Sequence, residues 1–258
     1  MSSSLIATAH RLADAARIET LRLFRSPELH PDNKAGHGFD PVTEADRSSE
    51  RAMRAILAAE RPHDAILGEE FGSSPGSSGL TWVLDPIDGT RAFMAGAPSW
   101  GVLIGVVGAD GPIYGIVDQP HLDERFEGGL GRAALTGRNQ NWPLRSRVGV
   151  SLSQATLMST YPEVGTPDEQ AAFQRVAARA RLTRYGLDCY AYALLAAGHV
   201  DLVIEAGLQA YDVAAPIAVV QAAGGIVTDW TGGPAHHGGR IIAAGSPELH
   251  AEALELLA

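Results

Sequence analysis

The segment 81–93, which reads TWVLDPIDGTRAF, constrains the fold more than any other part of the chain. It begins with apolar residues that are typical of a buried strand, and it ends abruptly in two aspartates, a proline and a glycine. Pro86 interrupts strand pairing, and the glycine that follows the second aspartate can open a short helix. The pattern therefore predicts a strand that places Asp85 and Asp88 where it ends.

Two carboxylates so close together would each resist ionisation unless a cation lay between them. Mg²⁺ is the natural candidate, because hard divalent cations prefer carboxylate and carbonyl oxygens. The backbone N–H groups of Gly89 and Thr90 would point outward from the start of the new helix, where they suit a phosphate group. The segment therefore predicts a combined metal and phosphate site.

A hairpin turn with solvated acids is the alternative for the same residues, since Asp-Gly and Asp-Pro are common turn signals. Other acids that lie at the ends of predicted strands and helices bear on the choice between a metal site and a solvated turn. Glu69 and Glu70 follow a short strand at residues 65–67, although taken alone they are equally typical of an exposed acidic turn. Asp212 directly precedes a predicted apolar helix at residues 213–223. If these acids converge, their charges require counter-ions, and two Mg²⁺ ions would roughly balance them.

The rest of the chain predicts a layered α/β protein. The first ~25 residues and those after Thr43 are amphipathic helices, and Asp46 in the first turn of the second suits the helix dipole. Residues 26–41 form a loop that is either a lid or a plain surface connection, and residues 136–141 a polar loop. Helices alternate with strands in the second half, which favours layered α/β architecture.

Length and composition limit the class of protein. The chain has 258 residues and is 45% hydrophobic, enough for one compact body, which we divide into halves at residues 1–145 and 146–258. A net charge of -10 argues against a nucleic-acid groove. The single Cys189 excludes an internal disulfide and fits a reducing cytoplasm. No run approaches ~18 uncharged apolar residues, so we expect no membrane span.

Five motifs are shared, in this order, with a known family: VTEAD at residues 42–46, GEE at 68–70, DPIDGT at 85–90, YDVAAP at 211–216 and AGG at 223–225. They resemble the motifs of the inositol monophosphatase superfamily, and the resemblance covers nearly the whole chain. Within it, the stretches TRAFMAGAPSWGVLIG, YGIVDQPHLDERF and RYGLDCYAYALLAAGHVDLVIEAGL are most similar to the histidinol-phosphate phosphatases, which act late in histidine synthesis.

The resemblance implies an αβαβα sandwich, α+β in its first half and α/β in its second, a cytoplasmic homodimer, and a small phosphomonoester as substrate. It also implies two or three Mg²⁺ ions. The implied metal ligands are Glu69, Asp85, the carbonyl of Ile87, Asp88 and Asp212, with Asp46 contributing to a third site.

The resemblance also implies how the substrate and the attacking water are held. Glu70 and Thr90 would hold the water, and the implied substrate-binding set is Asp88, Gly89, Thr90, Arg184, Asp188, Glu205 and Asp212. An acidic pair such as Asp188 and Glu205 suits a substrate with a protonated amine and an imidazole, but inositol phosphate would also be held by such acceptors. Leu187 departs from the pattern, which has glycine there, and would narrow the pocket or shift Asp188.

Three other functions are open at this point. An inositol or broad sugar phosphatase of the same superfamily fits the same motifs. A phospho-aspartyl mechanism requires D-x-D-x-T, whereas the spacing here is D-x-x-D-G-T. A protein that only binds a phosphate ligand would have no need of Glu70 and Thr90.

Overall fold

The computed structural model describes residues 2–30, 32–33, 41–137 and 140–258. Within these ranges the helices are α1 (Ser2–Leu23), α2 (Glu44–Glu60), α3 (Thr90–Met94), α4 (Pro167–Ala177), α5 (Tyr190–Ala196), α6 (Ala210–Ala222) and α7 (Pro247–Leu257), with a single 3₁₀ turn at Leu152–Gln154. The strands of the first half are β1 (Asp32–Asn33), β2 (Pro41–Val42), β3 (Ala65–Gly68), β4 (Gly72–Ser74), β5 (Thr81–Asp88), β6 (Gly101–Gly108), β7 (Gly111–Gln119), β8 (Glu124–Gly129), β9 (Arg132–Gly137) and β10 (Gln140–Pro143). Those of the second half are β11 (Thr156–Ser159), β12 (Leu182–Tyr185), β13 (Leu202–Leu208), β14 (Ile226–Asp229) and β15 (Gly239–Ala244).

Two large sheets carry the architecture. The first has eight strands in the order β10-β9-β8-β7-β6-β5-β3-β4, and only the β3–β5 pair in it is parallel. The second has five strands in the order β12-β11-β13-β15-β14, with β11 parallel to both of its neighbours. The small β1–β2 pair forms a third, two-stranded sheet.

The helices fill three layers around these sheets. Helices α1 and α2 pack on one face of the eight-stranded sheet, and α5 and α6 lie between the two large sheets. Helices α4 and α7 cover the outer face of the five-stranded sheet. The order is therefore helix, sheet, helix, sheet, helix, which confirms the expected αβαβα sandwich. The largest hydrophobic core lies in the middle layer, where α6 contacts both sheets.

Helix starts follow the capping residues of the sequence. Thr43 caps α2 with a reciprocal capping box to Asp46, and Thr166 caps α4 in the same way with Glu169. Ser246 caps α7, whose first residue is the proline that follows it. No helix among the described residues combines the length and the apolar character needed to cross a membrane.

Two local predictions were wrong. Residues 136–141 are not simply a loop, because β9 runs to Gly137 and pairs there with Gln140 of β10. Asp212 does not precede its helix but lies inside the first turn of α6, which begins two residues earlier. Half of the possible lid at residues 26–41, namely residues 31 and 34–40, lies outside the described residues, and the division of the chain at residue 145 stays a prediction.

Candidate active site

The end of β5 presents two carboxylates through an irregularity in strand pairing. Asp85 pairs with Leu103 and Asp88 with Gly101, so the residues between them, including Pro86, have no ladder partner on β6. The Asp85 carboxylate accepts a hydrogen bond from the backbone N–H of Ile87 at 3.0 Å, which closes this bulge. Both aspartates therefore lie at the same border of the sheet, as the sequence predicted.

Gly89 links the strand to α3 and can only be glycine. Its φ of 84° lies in the left-handed region, and a Cβ added there would lie 2.9 Å from Cγ of Asp188. The chain thus turns sharply after Asp88 and brings the carboxylate of Asp188 against the turn. Thr90 begins α3, and its hydroxyl donates to the carbonyl of Ile87 at 3.2 Å.

Asp212 reaches the same place from the second half of the chain. It occupies the third position of α6, where its carboxylate accepts the N–H of Gln209 at 2.6 Å. One carboxylate oxygen each from Asp85, Asp88 and Asp212 lie within 4.8 Å of one another. The predicted convergence of acids from distant segments is present for these three.

The cluster is electrostatically costly without a cation. Asp85 is only 2% exposed, and its burial together with the charges of Glu69, Asp88 and Asp212 raises its pKa well above the usual range. Burial, followed by the charges of Asp188 and Asp212, likewise raises the pKa of Asp88. Burial raises the pKa of Asp212 to about 6. Each group would ionise more easily with positive charge nearby.

The two glutamates of the GEE motif join this cluster from β3. Strands β3 and β5 run parallel, and β3 ends where Gly68 pairs with Leu84. The N–H of Glu69 then donates to the carbonyl of Leu84 at 3.1 Å, one residue before Asp85. Glu70 follows and lies near Asp46, because its charge contributes to raising the pKa of that buried aspartate to about 6, after burial itself. Among the described residues, Oδ1 of Asp46 is buried without a hydrogen-bond partner.

The donors present suit Mg²⁺. In the part of the chain that the structure describes, they are carboxylate oxygens of Asp85, Asp88 and Asp212, and this group includes no sulfur or imidazole ligand of the kind that softer metals prefer. The orphaned oxygen of Asp46 is a further donor of the same kind at the margin of the cluster. The residues therefore fit one or more hard divalent cations.

A cavity of about 310 Å³ opens beside the cluster. Its lining includes Asp88, Thr90 and Asp212, and it also includes Asp188 and Glu205. Burial, then the charge of Glu205, raises the pKa of Asp188 to about 6. The cavity is thus lined both by acids of the cluster and by a second acidic pair, Asp188 and Glu205.

Comparison with known proteins identifies the family. The model of the inositol monophosphatase family matches residues 1–258. The histidinol-phosphatase of Streptomyces coelicolor is 36% identical, over 96% of this chain and 95% of its own. A bifunctional chloroplastic phosphatase of Arabidopsis thaliana, IMPL2, is 40% identical over 97% of this chain and 74% of its own. A solved inositol monophosphatase from Zymomonas mobilis is 42% identical, with a TM-score of 0.85, over 98% of this chain and 96% of its own.

The chain belongs to the inositol monophosphatase family. Members of this family are phosphatases that use Mg²⁺, and this chain is therefore a phosphatase. The similarity to histidinol-phosphatases that the sequence suggested is confirmed. The names of the relatives nevertheless cover several substrates, so the family alone does not identify which phosphate ester this phosphatase cleaves.

Not every predicted site residue of this phosphatase lines the cavity. Arg184 is exposed on the edge strand β12 and is not among the lining residues, so its contact with substrate stays a prediction. Leu187 does not line the cavity either, and it packs against the central core. Arg91 lines the cavity and donates to the hydroxyl of Tyr161 at 2.9 Å.

Sequence reasoning missed the residues that hold Glu205. The N–H of Thr160 donates to one carboxylate oxygen at 3.0 Å and its hydroxyl donates to the same oxygen, while the hydroxyl of Tyr192 donates to the other at 2.9 Å. Thr160 follows β11 and Tyr192 lies on α5, far from Glu205 in sequence. Only the position of Thr160 directly after a strand was a usable signal.

Proposed function

We propose that this phosphatase hydrolyses L-histidinol phosphate to L-histidinol and phosphate in a Mg²⁺-dependent reaction. The observation that carries the proposal is a second acidic pair, Asp188 and Glu205, which lines the same cavity as Asp88 and Asp212 of the carboxylate cluster. A protonated amine and an imidazole would find charged acceptors there. The similarity to the histidinol-phosphatase of Streptomyces coelicolor supports the same substrate.

The hydrogen bonds around Glu205 favour a cationic partner. Burial raises the pKa of this carboxyl, whereas the donors on Thr160 and Tyr192 act in the opposite direction and stabilise the charged form. A buried carboxylate with three donors already in place keeps lone pairs for one more partner. An ammonium group gains more from such a site than a neutral hydroxyl does, because the charges attract in a poorly solvated pocket.

The residues that would hold Mg²⁺ are Glu69, Asp85, the carbonyl of Ile87, Asp88 and Asp212, with Asp46 at a third position. When bound, the ions would neutralise the phosphate and the alkoxide that leaves. Asp85 and Asp88 are already oriented by the bulge and by the N–H of Cys189, which donates to Asp88 at 2.6 Å. Little rearrangement of these side chains would then accompany binding.

The remaining residues would bind the phosphate and the attacking water. Thr90 would pass a hydrogen bond from the water to the carboxylate of Glu70, which would accept the proton as the water oxygen bonds to phosphorus. The N–H groups of Gly89 and Thr90 would donate to the phosphate oxygens, beside Asp88 and Asp212. The bond from phosphorus to the alcohol oxygen would break, that oxygen would take a proton from a second water, and the resulting hydroxide would take back the proton held by Glu70 as the alcohol leaves.

Inositol 1-phosphate, or a broader set of sugar phosphates, is the second candidate substrate. It is supported by the 42% identity with the inositol monophosphatase from Zymomonas mobilis. Its hydroxyl groups can donate to the same two carboxylates. The two substrates differ in charge at the end remote from phosphate, which makes that charge the property to test.

The test is phosphate release from histidinol phosphate, inositol 1-phosphate and a panel of sugar phosphates, with Mg²⁺ and with EDTA. We expect the highest kcat/KM for histidinol phosphate and no turnover in EDTA. Histidinol phosphate without its amino group is the matched control, since it keeps the phosphate and the imidazole. Equal kcat/KM values for the two histidinol compounds would contradict the role of the acidic pair Asp188 and Glu205.

A further inference from the structure

The turn that carries Glu69 and Glu70 is short. Strands β3 and β4 form a hairpin in which Gly68 pairs with Gly72, so only three residues connect them. The first, Glu69, is held by the carbonyl of Leu84 on β5. That contact holds Glu69 only, so other residues must hold Glu70 and Phe71.

Glu50 on α2 supplies the contacts that hold the rest of this turn. Its side chain is fully buried, and one carboxylate oxygen accepts the N–H of Glu70 at 2.7 Å. The other oxygen accepts the N–H of Phe71 at 3.3 Å and Nε of Arg54 at 2.7 Å. This carboxylate therefore holds the backbone at the position of Glu70 itself.

Arg54 extends the same contact to the far side of the hairpin. Its guanidinium donates to the carbonyl of Gly72 and to the hydroxyl of Ser74 at 3.0 Å. Glu50 and Arg54 are four residues apart on α2, and Asp46 is one further turn back on the same helix face. The whole acidic hairpin is thus fixed to one face of α2.

Gly68 provides independent evidence that this contact is close. A Cβ added at Gly68 would lie 2.0 Å from Oε1 of Glu50 and 2.8 Å from Nη2 of Arg54. Both atoms belong to side chains that hydrogen-bond the hairpin, so neither side chain can move away without breaking those hydrogen bonds. The glycine of the GEE motif is therefore explained by room for the Glu50 carboxylate.

We propose that Glu50 is a positioning residue, which orients Glu70 and its neighbour Glu69 toward the metal cluster through the backbone of their turn. The proposal rests on the roles proposed above for these two glutamates. A buried ion pair contributes little to stability compared with apolar packing, and a further carboxylate beside an acidic cluster adds repulsion. Placing the turn is a task that an apolar side chain could not perform, because the N–H groups of Glu70 and Phe71 need an acceptor.

The test compares Glu50→Ala and Glu50→Gln with Asp201→Ala. Asp201 is a matched control, since its side chain is equally buried and accepts Nε of Arg147 at 2.7 Å and the N–H of Thr156 at 2.7 Å, at the start of strands β11 and β13. Mg²⁺ affinity is measured by titration calorimetry, and kcat, KM and melting temperature are measured beside it.

We expect Glu50→Ala to weaken Mg²⁺ binding by about 10-fold or more, as removal of an orienting partner of a metal ligand typically does, and to lower kcat with little change in KM. Glu50→Gln, which keeps one acceptor oxygen, should recover part of both. Asp201→Ala should lower the melting temperature and leave Mg²⁺ affinity unchanged.

Wild-type Mg²⁺ affinity in Glu50→Gln and in folded Glu50→Ala would overturn the proposal, as would an equal loss in Asp201→Ala. Should wild-type protein bind Mg²⁺ and release no phosphate from any ester, the proposed substrate would fail. The calorimetric comparison would still decide the role of Glu50, because it does not depend on turnover.

Discussion

Replacing Asp88 by asparagine removes one of three clustered carboxylates and keeps the shape of the side chain. Asparagine retains the oxygen that accepts the N–H of Cys189. The oxygens of the three aspartates lie within 4.8 Å of one another, and two unit charges at that distance repel by about 3.5 kcal/mol at an effective dielectric constant of about 20. The substitution eliminates two of the three repulsions.

Protonation limits how much of this repulsion the metal-free protein bears. For Asp212, whose pKa is raised to about 6, taking up a proton at pH 7 costs about 1.4 kcal/mol. We therefore expect Asp88→Asn to stabilise the metal-free protein by about 1–2 kcal/mol. For a chain of this size that corresponds to a rise in melting temperature of about 2–4 °C.

The assay is thermal unfolding followed by circular dichroism, in EDTA and in saturating Mg²⁺. Mg²⁺ at 100 times its Kd should stabilise the wild type by about 2.7 kcal/mol and Asp88→Asn by much less. Phosphate release by the variant should be abolished. Asp110→Asn is the control, since it removes the same charge from an exposed hairpin turn. A variant that is less stable than wild type in EDTA, or equally stabilised by Mg²⁺, would refute the reasoning.

Three further predictions concern the same cavity. Thr90→Ala should lower kcat about 100-fold with a much smaller change in KM, because the water loses its orientation; a rise in KM alone would remove that role. Glu205→Gln should lower kcat/KM for histidinol phosphate about 10-fold more than for inositol 1-phosphate, since only the former loses a charge-assisted bond, and equal losses would favour the inositol ester. Between pH ~4 and ~6 the native state binds more protons than the unfolded state at Asp212, whose pKa is raised from 3.8 to about 6, so this group's contribution to stability is lost as pH rises through about 6. The melting temperature of metal-free Asp212→Asn relative to wild type should therefore increase from pH 5 to pH 7, and a constant difference would contradict the shift.

Local signals predicted most of the fold. The starts of α2, α4 and α7 can be read from the capping residues Thr43, Thr166 and Ser246, because a cap depends on residues within one turn. The acidic end of β5 could likewise be predicted from sequence, since an apolar run typical of a strand is followed there by Asp-Pro. The hairpin at residues 136–141 was missed because its residues are polar and give no strand signal of their own. Its strands are established only by pairing, β9 with β8 and β10 with β9.

The site was predictable only as far as the residues that carry charge at borders. Asp85, Asp88 and Asp212 could be proposed from sequence because each lies at the end of an element. The side chains that orient such acids were not, because Thr160 and Tyr192 meet Glu205 only through tertiary packing. The same holds for Glu50, whose partners lie on a different element.

Leu187 shows how a departure from a motif acquires meaning only in the structure. The sequence suggested that it would narrow the pocket or shift Asp188. Its side chain instead packs against the central core and does not line the cavity, so it does not narrow the pocket. Asp188, the next residue, has a φ of 47°, which is strained for a residue with a Cβ and persists only where its surroundings hold it.

Leu187 therefore packs against the core directly beside the strained backbone of Asp188, a residue that we propose to bind the substrate. Leu187→Gly should cost about 2–4 kcal/mol, from lost apolar burial and added chain entropy, and should raise KM for histidinol phosphate as Asp188 loses its orientation. Leu187→Met, which keeps the apolar volume, should leave both nearly unchanged. If Leu187→Gly instead widened the substrate range and left KM for histidinol phosphate intact, the side chain would be acting on the pocket directly. The packing of Leu187 against the core favours the expected rise in KM after Leu187→Gly. A residue that fixes the backbone next to Asp188 can alter substrate affinity without contacting the substrate.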